Sequence, residues 1–381
     1  MQLRRGVKKE NRQFSAEWYA ILTAVLFGIT APLAKLLLSG MGPVTLSASV
    51  FAGGALVLTC YYLWTRRTFG GRTAEAPLKK ADIPWIAASI LIGYVGATML
   101  LMVSLQYTPA ATASLLLSFE GVITTLIAVF IFREQVGLRI VIALGLITTA
   151  CLLIACEPET TILITLGSTG VLLACCAWGI DTNISRHLSG KDPALLNCIR
   201  AWAAAGILSL FACVLGEPVP SLSFLFSALI LGIFSFSGIA AIWFLKALRG
   251  LGAARTGSII GMNPVLGILV SIFIFQTVPD PVFLIAFISV IIGLVFLSSE
   301  DHVHMHMHDA KTHEHSHHHI DGHHDHTHTV TDPPVTRTGY HSHSHHHGDL
   351  VHSHPHRPDI HHRHRHGRSS DGVFTGSEEN K

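Results

Sequence analysis

The stretch AATASLLLSFEGVITTLIAVFIF, residues 110–132, holds a single charged side chain, Glu120, in an otherwise uncharged and largely apolar run. Its length suits a helix crossing a hydrocarbon core of roughly 30 Å. The stretch AARTGSIIGMNPVLGILVSIFIF, residues 253–275, repeats it. Ala110 matches Ala253, Val122 matches Val265, Leu126 matches Leu269, and both close on Phe-Ile-Phe. Asn263 and Pro264 stand where the first copy has Glu120 and Gly121. A second pair of stretches agrees: FGITAPLAK (27–35) and WGIDTNISR (178–186) share an aromatic–Gly–Ile opening and a cation, Lys35 or Arg186, at the end. The chain therefore reads as an internally repeated membrane protein.

The remaining apolar runs fit that reading. Ten of them, near 18–38, 43–64, 82–104, 108–132, 138–156, 163–185, 193–215, 222–247, 253–276 and 281–299, are long enough to span, and none shows the charged stripe of a soluble amphipathic helix. Charged residues are only 13% of the chain, about half the roughly 25% of an ordinary soluble domain. The first run lacks a small-residue cleavage site and follows a long flank, so it reads as a retained helix. The expected layout is a basic amino terminus (1–17), a first five-helix repeat (18–156), a second (163–299) and a polar tail (300–381). Five spans per repeat force the copies into opposite orientations, the inverted-repeat plan of many secondary transporters.

Lysine and arginine placement gives the orientation. Arg4, Arg5, Lys8, Lys9 and Arg12 precede the first span, and alternate connections carry Arg66, Arg67, Arg72, Lys79, Lys80, Arg133, Arg139, Arg186, Lys191, Lys246, Arg249 and Arg255. The intervening connections, SGMGP, QYTP, CEPETT, GEPVPS and QTVPDP, contain neither residue. Both termini are thus expected in the cytoplasm, with the body in the cell (inner) membrane and the lipid bilayer as its main partner.

Ionisable groups in mid-membrane are costly and so point to function. Glu120 lies deep in the fourth span and Asn263 at the same depth in the ninth. Gly121 and Pro264 beside them are expected to loosen the helix and expose carbonyls. Glu120 in an apolar setting is a candidate proton carrier near neutral pH; the bland alternative is a neutral, hydrogen-bonded carboxyl. Asp181 replaces the neutral Thr30 of the first repeat, and either serves an asymmetric pathway or braces the bundle through Arg200. Lys35 and Arg186 sit near helix ends, where gating competes with simple snorkelling. His187 is a border residue or a handover ligand. The seven cysteines all fall in the spans without metal-finger or redox spacing, and read as small packing residues.

The aromatic–Gly pattern of the first helix in each repeat, with the Ala-Ala…Glu/Asn-Gly/Pro-Val…Phe-Arg-Glu run, resembles the EamA branch of the drug/metabolite transporter superfamily over about 18–299. The resemblance implies ten helices, inverted five-helix repeats and transport of small organic solutes, often outward. Gly121, Val50 and Thr277 depart from the residues usual in the family at those positions. No nucleophile–base constellation, phosphate-binding loop or nucleic-acid module occurs, so neither an enzyme nor a nucleic-acid partner is expected. Transport itself calls for no cofactor.

The tail is of another kind. Of 26 histidines, all but His187 lie between His302 and His366. They fall in combs: His302, His304, His306 and His308; His313, His315, His317, His318 and His319; His323, His324, His326 and His328; His341, His343, His345, His346 and His347; and His352, His354, His356, His361, His362, His364 and His366. So polar a segment is expected to be disordered alone. Neutral imidazoles in such number suit zinc, nickel, cobalt or copper, with Asp325, Asp349 and Asp359 completing mixed sites. Two readings stay open: the tail senses or buffers metal while the body exports a solute, or metal is the cargo and the tail delivers it. A membrane-anchored metal store would need no inverted repeat. The substrate, and whether the chain acts alone or as a homodimer, are not legible. Because HSHPHRPDIHHRHRH (352–366) looks like a defined motif, deleting it is expected to lower the chain's zinc stoichiometry in equilibrium dialysis; an unchanged stoichiometry and affinity would refute the motif.

Overall fold

In a computed structural model the described residues are 2–68, 78–132, 137–155, 162–188, 191–251, 256, 259–298, 302–308, 311–318, 340–347 and 350–356; residues 2–15, Phe132, Arg186, 248–250, Ser298 and the tail are described by backbone alone. Several expectations fall outside these residues: those for Arg72, Arg133 and Arg255, for His319, His323, His324, His326 and His328, for His361, His362, His364 and His366, and for Asp325, Asp349 and Asp359.

Over the described residues up to 298 the protein is an all-helical membrane protein. Eight helices among the described residues are long and apolar enough to cross a bilayer: Ala16–Leu37, Pro43–Thr68, Lys80–Tyr107, Ala110–Ile131, Leu138–Ala155, Ile162–Ser185, Pro193–Val214 and Leu222–Ala247. The shorter apolar helices Asn263–Phe275 and Pro281–Leu297 stand where the ninth and tenth spans are expected. The first helix begins at Gln2, so the helical backbone runs back through the basic segment expected to precede the membrane.

The repeats interlock rather than sit side by side. The first span packs on the ninth and eighth, and the sixth span packs on the fourth and third. The second pairs with the seventh, and the fifth with the tenth. Each contact joins one repeat to the other. The conserved shape of the two aromatic–Gly motifs has its cause here. A Cβ on Gly28 would stand 2.6 Å from the Asn263 carbonyl oxygen, and one on Gly179 would stand 2.6 Å from Ile123 Cγ2. Only glycine lets the first helix of one repeat press against the fourth helix of the other.

Four spans depart from α-helix in mid-course. The third runs as α-helix Ile83–Ser89, π-helix Ile90–Ala97 and α-helix Thr98–Tyr107. Its counterpart, the eighth, breaks at 235–238 between Leu222–Phe234 and Ile239–Leu251. The fourth breaks at Leu117 and Ser118, between Ala110–Leu116 and Phe119–Phe132. In the ninth, Asn263–Phe275 starts after a turn at Gly261 and Met262. The loosening expected at Gly121 and Pro264 therefore lies just ahead of them. Glu120 and Asn263 open the half-helices that follow, and proline in a first helical turn forfeits no hydrogen bond. Serine marks two of the breaks: Ser118 and Ser235 hydroxyls donate to the carbonyls of Leu115 (2.6 Å) and Gly232 (3.1 Å), competing with the helix ladder.

Beyond Ser298 the tail contains four strands, β1 (His302–His308), β2 (Lys311–His318), β3 (Tyr340–His347) and β4 (Leu350–His356). β1 pairs antiparallel with β4, and β2 with β3. Over these stretches the tail departs from the disorder its composition suggests, because strict alternation of histidine with other residues suits the two-residue period of a strand.

The glycine contact is open to test. Gly28→Val forces a side chain against the ninth-span backbone and is expected to cost about 1–3 kcal/mol of stability. Thermal unfolding in detergent would read it as a lowered midpoint, whereas Gly145→Ala and Gly206→Ala, where a Cβ meets nothing within 4 Å, should leave the midpoint near that of the parent.

Candidate functional site

The interior site is assembled by the third, fourth, sixth and seventh spans. Asp181, near the end of the sixth span, presses against the π-helical turn of the third, and a Cβ at Gly93 would collide with its carboxylate. The wide π turn and the glycine together make room for a carboxylate between two helices; such turns recur at functional sites. Ser89 and Ser185 lie beside Asp181, and its charge reaches Glu120. Glu120 itself stands in the first turn of the half-helix Phe119–Phe132, where the helix dipole favours a negative group.

Arg200 completes the group from the seventh span. It is 4% exposed, and its guanidinium lies over the Tyr94 ring at 5.7 Å from the centroid. The Tyr94 hydroxyl donates to Asn197 Oδ1 at 3.2 Å, one turn before Arg200. Tyr94 belongs to the π-helical segment and stacks on Phe51 at 5.4 Å, while Phe51 meets Phe236, in the broken part of the eighth span, edge-on at 5.6 Å. The ring of Phe51 thus separates the irregular turns of the third and eighth spans.

Asp181 and Arg200 do not close into an ion pair. Asp181 Oδ1 and Arg200 Nε and Nη2 are buried without a hydrogen-bond partner. An unmet buried donor or acceptor costs about 1–3 kcal/mol, more for a charged group, and three such atoms lie here on two side chains of opposite charge. The charge of Arg200 nevertheless reaches Asp181.

The other sequence candidates lie elsewhere. Lys35 Nζ donates to the carbonyls of Leu105 and Gln106 (3.2 Å to the latter), closing the end of the third span. It is a helix-end cap rather than a snorkelling cation. The Asn263 backbone and buried Pro264 lie in the half-helix against Gly28 of the first span, and Gly121 follows Glu120 directly. Arg186 opens a 3-10 turn, Arg186–Leu188. His187 stacks on Trp85 at 4.1 Å between centroids. The Cys175 thiol donates to the carbonyls of Leu116 (3.5 Å) and Leu117 (3.9 Å) at the break in the fourth span, where Leu117 also accepts from Glu120 N (3.2 Å). Among the described residues no group of three or more His, Cys, Asp or Glu is arranged to hold a metal ion.

Two polar fastenings flank the site, one on each membrane face. On the face with the basic connections, Lys191 and Asp82 form an ion pair at 2.9 Å, joining the start of the seventh span to the start of the third. On the opposite face, Glu217 accepts from Val44 N (3.1 Å), Thr45 N (2.8 Å) and Thr45 Oγ1 (2.6 Å), capping the second span from the connection after the seventh. The helix starts themselves explain the second fastening. Gly40-Met-Gly-Pro43 matches Gly190-Lys-Asp-Pro193. In the second repeat Asp192 caps its own helix, accepting from Ala194 N (2.9 Å) and Leu195 N (3.2 Å). In the first repeat glycine replaces it, and a Cβ at Gly42 would collide with the Glu217 carboxylate.

Sequence reasoning passed over Tyr94, Asn197, Ser89, Asp82 and Glu217. Tyr94 is the one phenol inside ILIGYVGATML, a signal that was present; Glu217 carries no local signal, because its partners are distant in the chain.

The chain matches the EamA-like transporter family over residues 14–156 and 165–299, one match for each repeat. It is 28% identical over 314 residues to an uncharacterized transporter of Methanothermobacter thermautotrophicus, covering 77% of this chain and 88% of that one. It is 23% identical over 293 residues to an uncharacterized transporter of Clostridium kluyveri, covering 73% and 89%. A protein of known crystal structure superposes with a TM-score of 0.55 at 20% identity, covering 74% of this chain and 96% of that one, and supports the fold.

The borrowed cap gives a reciprocal test. Glu217→Ala is expected to cost about 0.5–2 kcal/mol, the range for losing a helix cap. Gly42→Asp should destabilise the parent, where it meets Glu217, yet recover stability in the Glu217→Ala background, as read by thermal unfolding. Equal effects of Gly42→Asp in both backgrounds would contradict the cap.

Proposed function

Because the chain belongs to the EamA-like transporter family, we propose that it exports a small zwitterionic solute by alternating access across the cell (inner) membrane. Its substrate is held between Arg200 and Asp181. The observation that carries this is three buried atoms on two oppositely charged side chains, two guanidinium nitrogens of Arg200 and one carboxylate oxygen of Asp181, that make no hydrogen bond within the protein. A solute with a carboxylate and an ammonium group a few ångströms apart meets both. Tyr94 then forms one wall of the site, and the Arg200 guanidinium over its ring is held in place for a carboxylate. The same guanidinium disfavours a bare divalent cation as cargo, since it sets a fixed positive charge beside the two carboxylates. An organic solute is the better reading.

Access alternates as the interlocked repeats rock, with the Lys191–Asp82 pair and the Glu217 cap opening in turn on the two faces. Glu120 carries the coupled proton, lying where the charge of Asp181 reaches it. Lysine and arginine in alternate connections support cytoplasmic termini. The histidine-rich tail binds a divalent transition metal on that side as sensor or buffer.

Proteoliposomes test the proposal. A panel of α-amino acids should give saturable counterflow, while matched amines and carboxylates lacking one of the two charges should not compete. Arg200→Met should reduce transport by at least about tenfold, the equivalent of roughly 1.4 kcal/mol. Equal transport of an amine and its amino acid would overturn the zwitterion. Transport by the parent should vary across about pH 6–8, and Glu120→Gln should flatten that profile; a variant as pH-sensitive as the parent would remove Glu120 from proton coupling.

A further inference from the structure

Among the described residues, two cations on the face with the basic connections lie over aromatic rings. Lys246 Nζ stands 5.0 Å from the centroid of the Tyr19 ring, and Tyr19 meets Trp243 at 6.4 Å between centroids. The Arg66 guanidinium stands over Tyr62 at 5.4 Å. Both cations are exposed, and among the described residues neither enters an ion pair, whereas Lys191 on the same face is committed to Asp82. The rings hold these charges in place without neutralising them.

The two groups rise from one corner of the bundle. The first span packs on the eighth, and Leu58 of the second span shares a buried cluster with Ile242 of the eighth. From that contact, one-turn steps lead along the second span to Tyr62 and Arg66, and along the eighth to Lys246. Tryptophan and tyrosine settle at headgroup level. Lys246 lies three residues past Trp243, and Arg66 four past Tyr62. At a rise of about 1.5 Å per residue, each cation stands roughly 4.5–6 Å nearer to water than its aromatic neighbour, within the headgroup layer.

We infer that this corner, formed by the ends of the second and eighth spans and the start of the first, binds an anionic phospholipid, with Lys246 and Arg66 taking the headgroup phosphate. Charge complementarity names the headgroup, because basic pockets beside membrane spans attract anionic lipid. The surroundings name a lipid rather than a free anion. Leu63 and Trp64 before Arg66, and Trp18 before Tyr19, are exposed and offer acyl chains an apolar wall. Each cation is already held over its ring, so little side-chain freedom is lost on binding. A lipid seated there touches the second span of the first repeat and the eighth span of the other. It therefore stabilises the assembled bundle whichever solute is carried.

The test uses the full-length protein in dodecyl maltoside, with phosphatidylglycerol as the probe and phosphatidylcholine of the same chains as the reference without net charge. Phosphatidylglycerol should raise the unfolding midpoint of the parent, as a ligand of the folded state does, and phosphatidylcholine should not. Lys246→Gln with Arg66→Gln should need at least about tenfold more phosphatidylglycerol for the same shift. Lys80→Gln with Arg67→Gln, which removes as many cations from the same face, should respond like the parent. Lys246→Arg with Arg66→Lys, which keeps both charges, should also respond. Equal losses from the two glutamine variants would overturn the corner as a site. Equal shifts with phosphatidylcholine, or with inorganic phosphate at the same concentration, would overturn an anionic lipid as its occupant.

Discussion

Backbone groups freed inside a membrane have no water to turn to, and unmet groups there cost several kcal/mol each. The breaks in the third, fourth, eighth and ninth spans are tolerable only because something meets them. At the fourth span the Cys175 thiol donates to the Leu116 carbonyl, and the Leu115 carbonyl accepts from both the amide and the hydroxyl of Ser118. At the ninth, Gly28 brings a whole helix against the Asn263 carbonyl. The interlocking of the repeats follows: each broken helix is shielded by the intact first helix of the other copy. The site opens where these breaks cluster.

The scaffold is symmetric, but its chemistry is not. Asp181 has Thr30 as its mate, Glu120 has Asn263, and Asp192 has Gly42. Each repeat contributes one carboxylate to the interior, the first through its fourth helix and the second through its first. Exact symmetry would set two carboxylates of each kind around the centre, raising the electrostatic cost. Divergence of single residues on a repeated frame gives instead an interior cluster of one guanidinium, two carboxyl groups and a phenol, with its two ends chemically unlike.

Much of this was legible in the sequence. The ten apolar runs, the repeat and the polar tail come from periodicity and length, which act locally. Glu120, Asp181 and Arg200 stood out because charge in lipid is expensive. What escaped notice depended on distant partners. Glu217 caps a helix 173 residues away, and Lys35 finds carbonyls at the end of another span. Tyr94 gains its place from a π-helical turn that no hydrophobic pattern announces. The tail misled in a different way: its composition says unfolded, while its alternation says strand, and the pairing of four combs lies beyond any local rule.

The substitution of Gly42 for a self-capping aspartate bears on how the chain is made. Synthesis adds about 5–20 residues per second, so Glu217 follows Val44 from the ribosome by roughly 9–35 s over the 173 residues that separate them. For that interval the second span waits in the bilayer with its leading amides uncovered, and the seventh, which caps itself, never does. The first half of the protein is thus an unfinished object until its sister half arrives. A ribosome stalled before residue 217 leaves behind a half whose second helix begins without its cap, weaker at its start by the worth of that one cap.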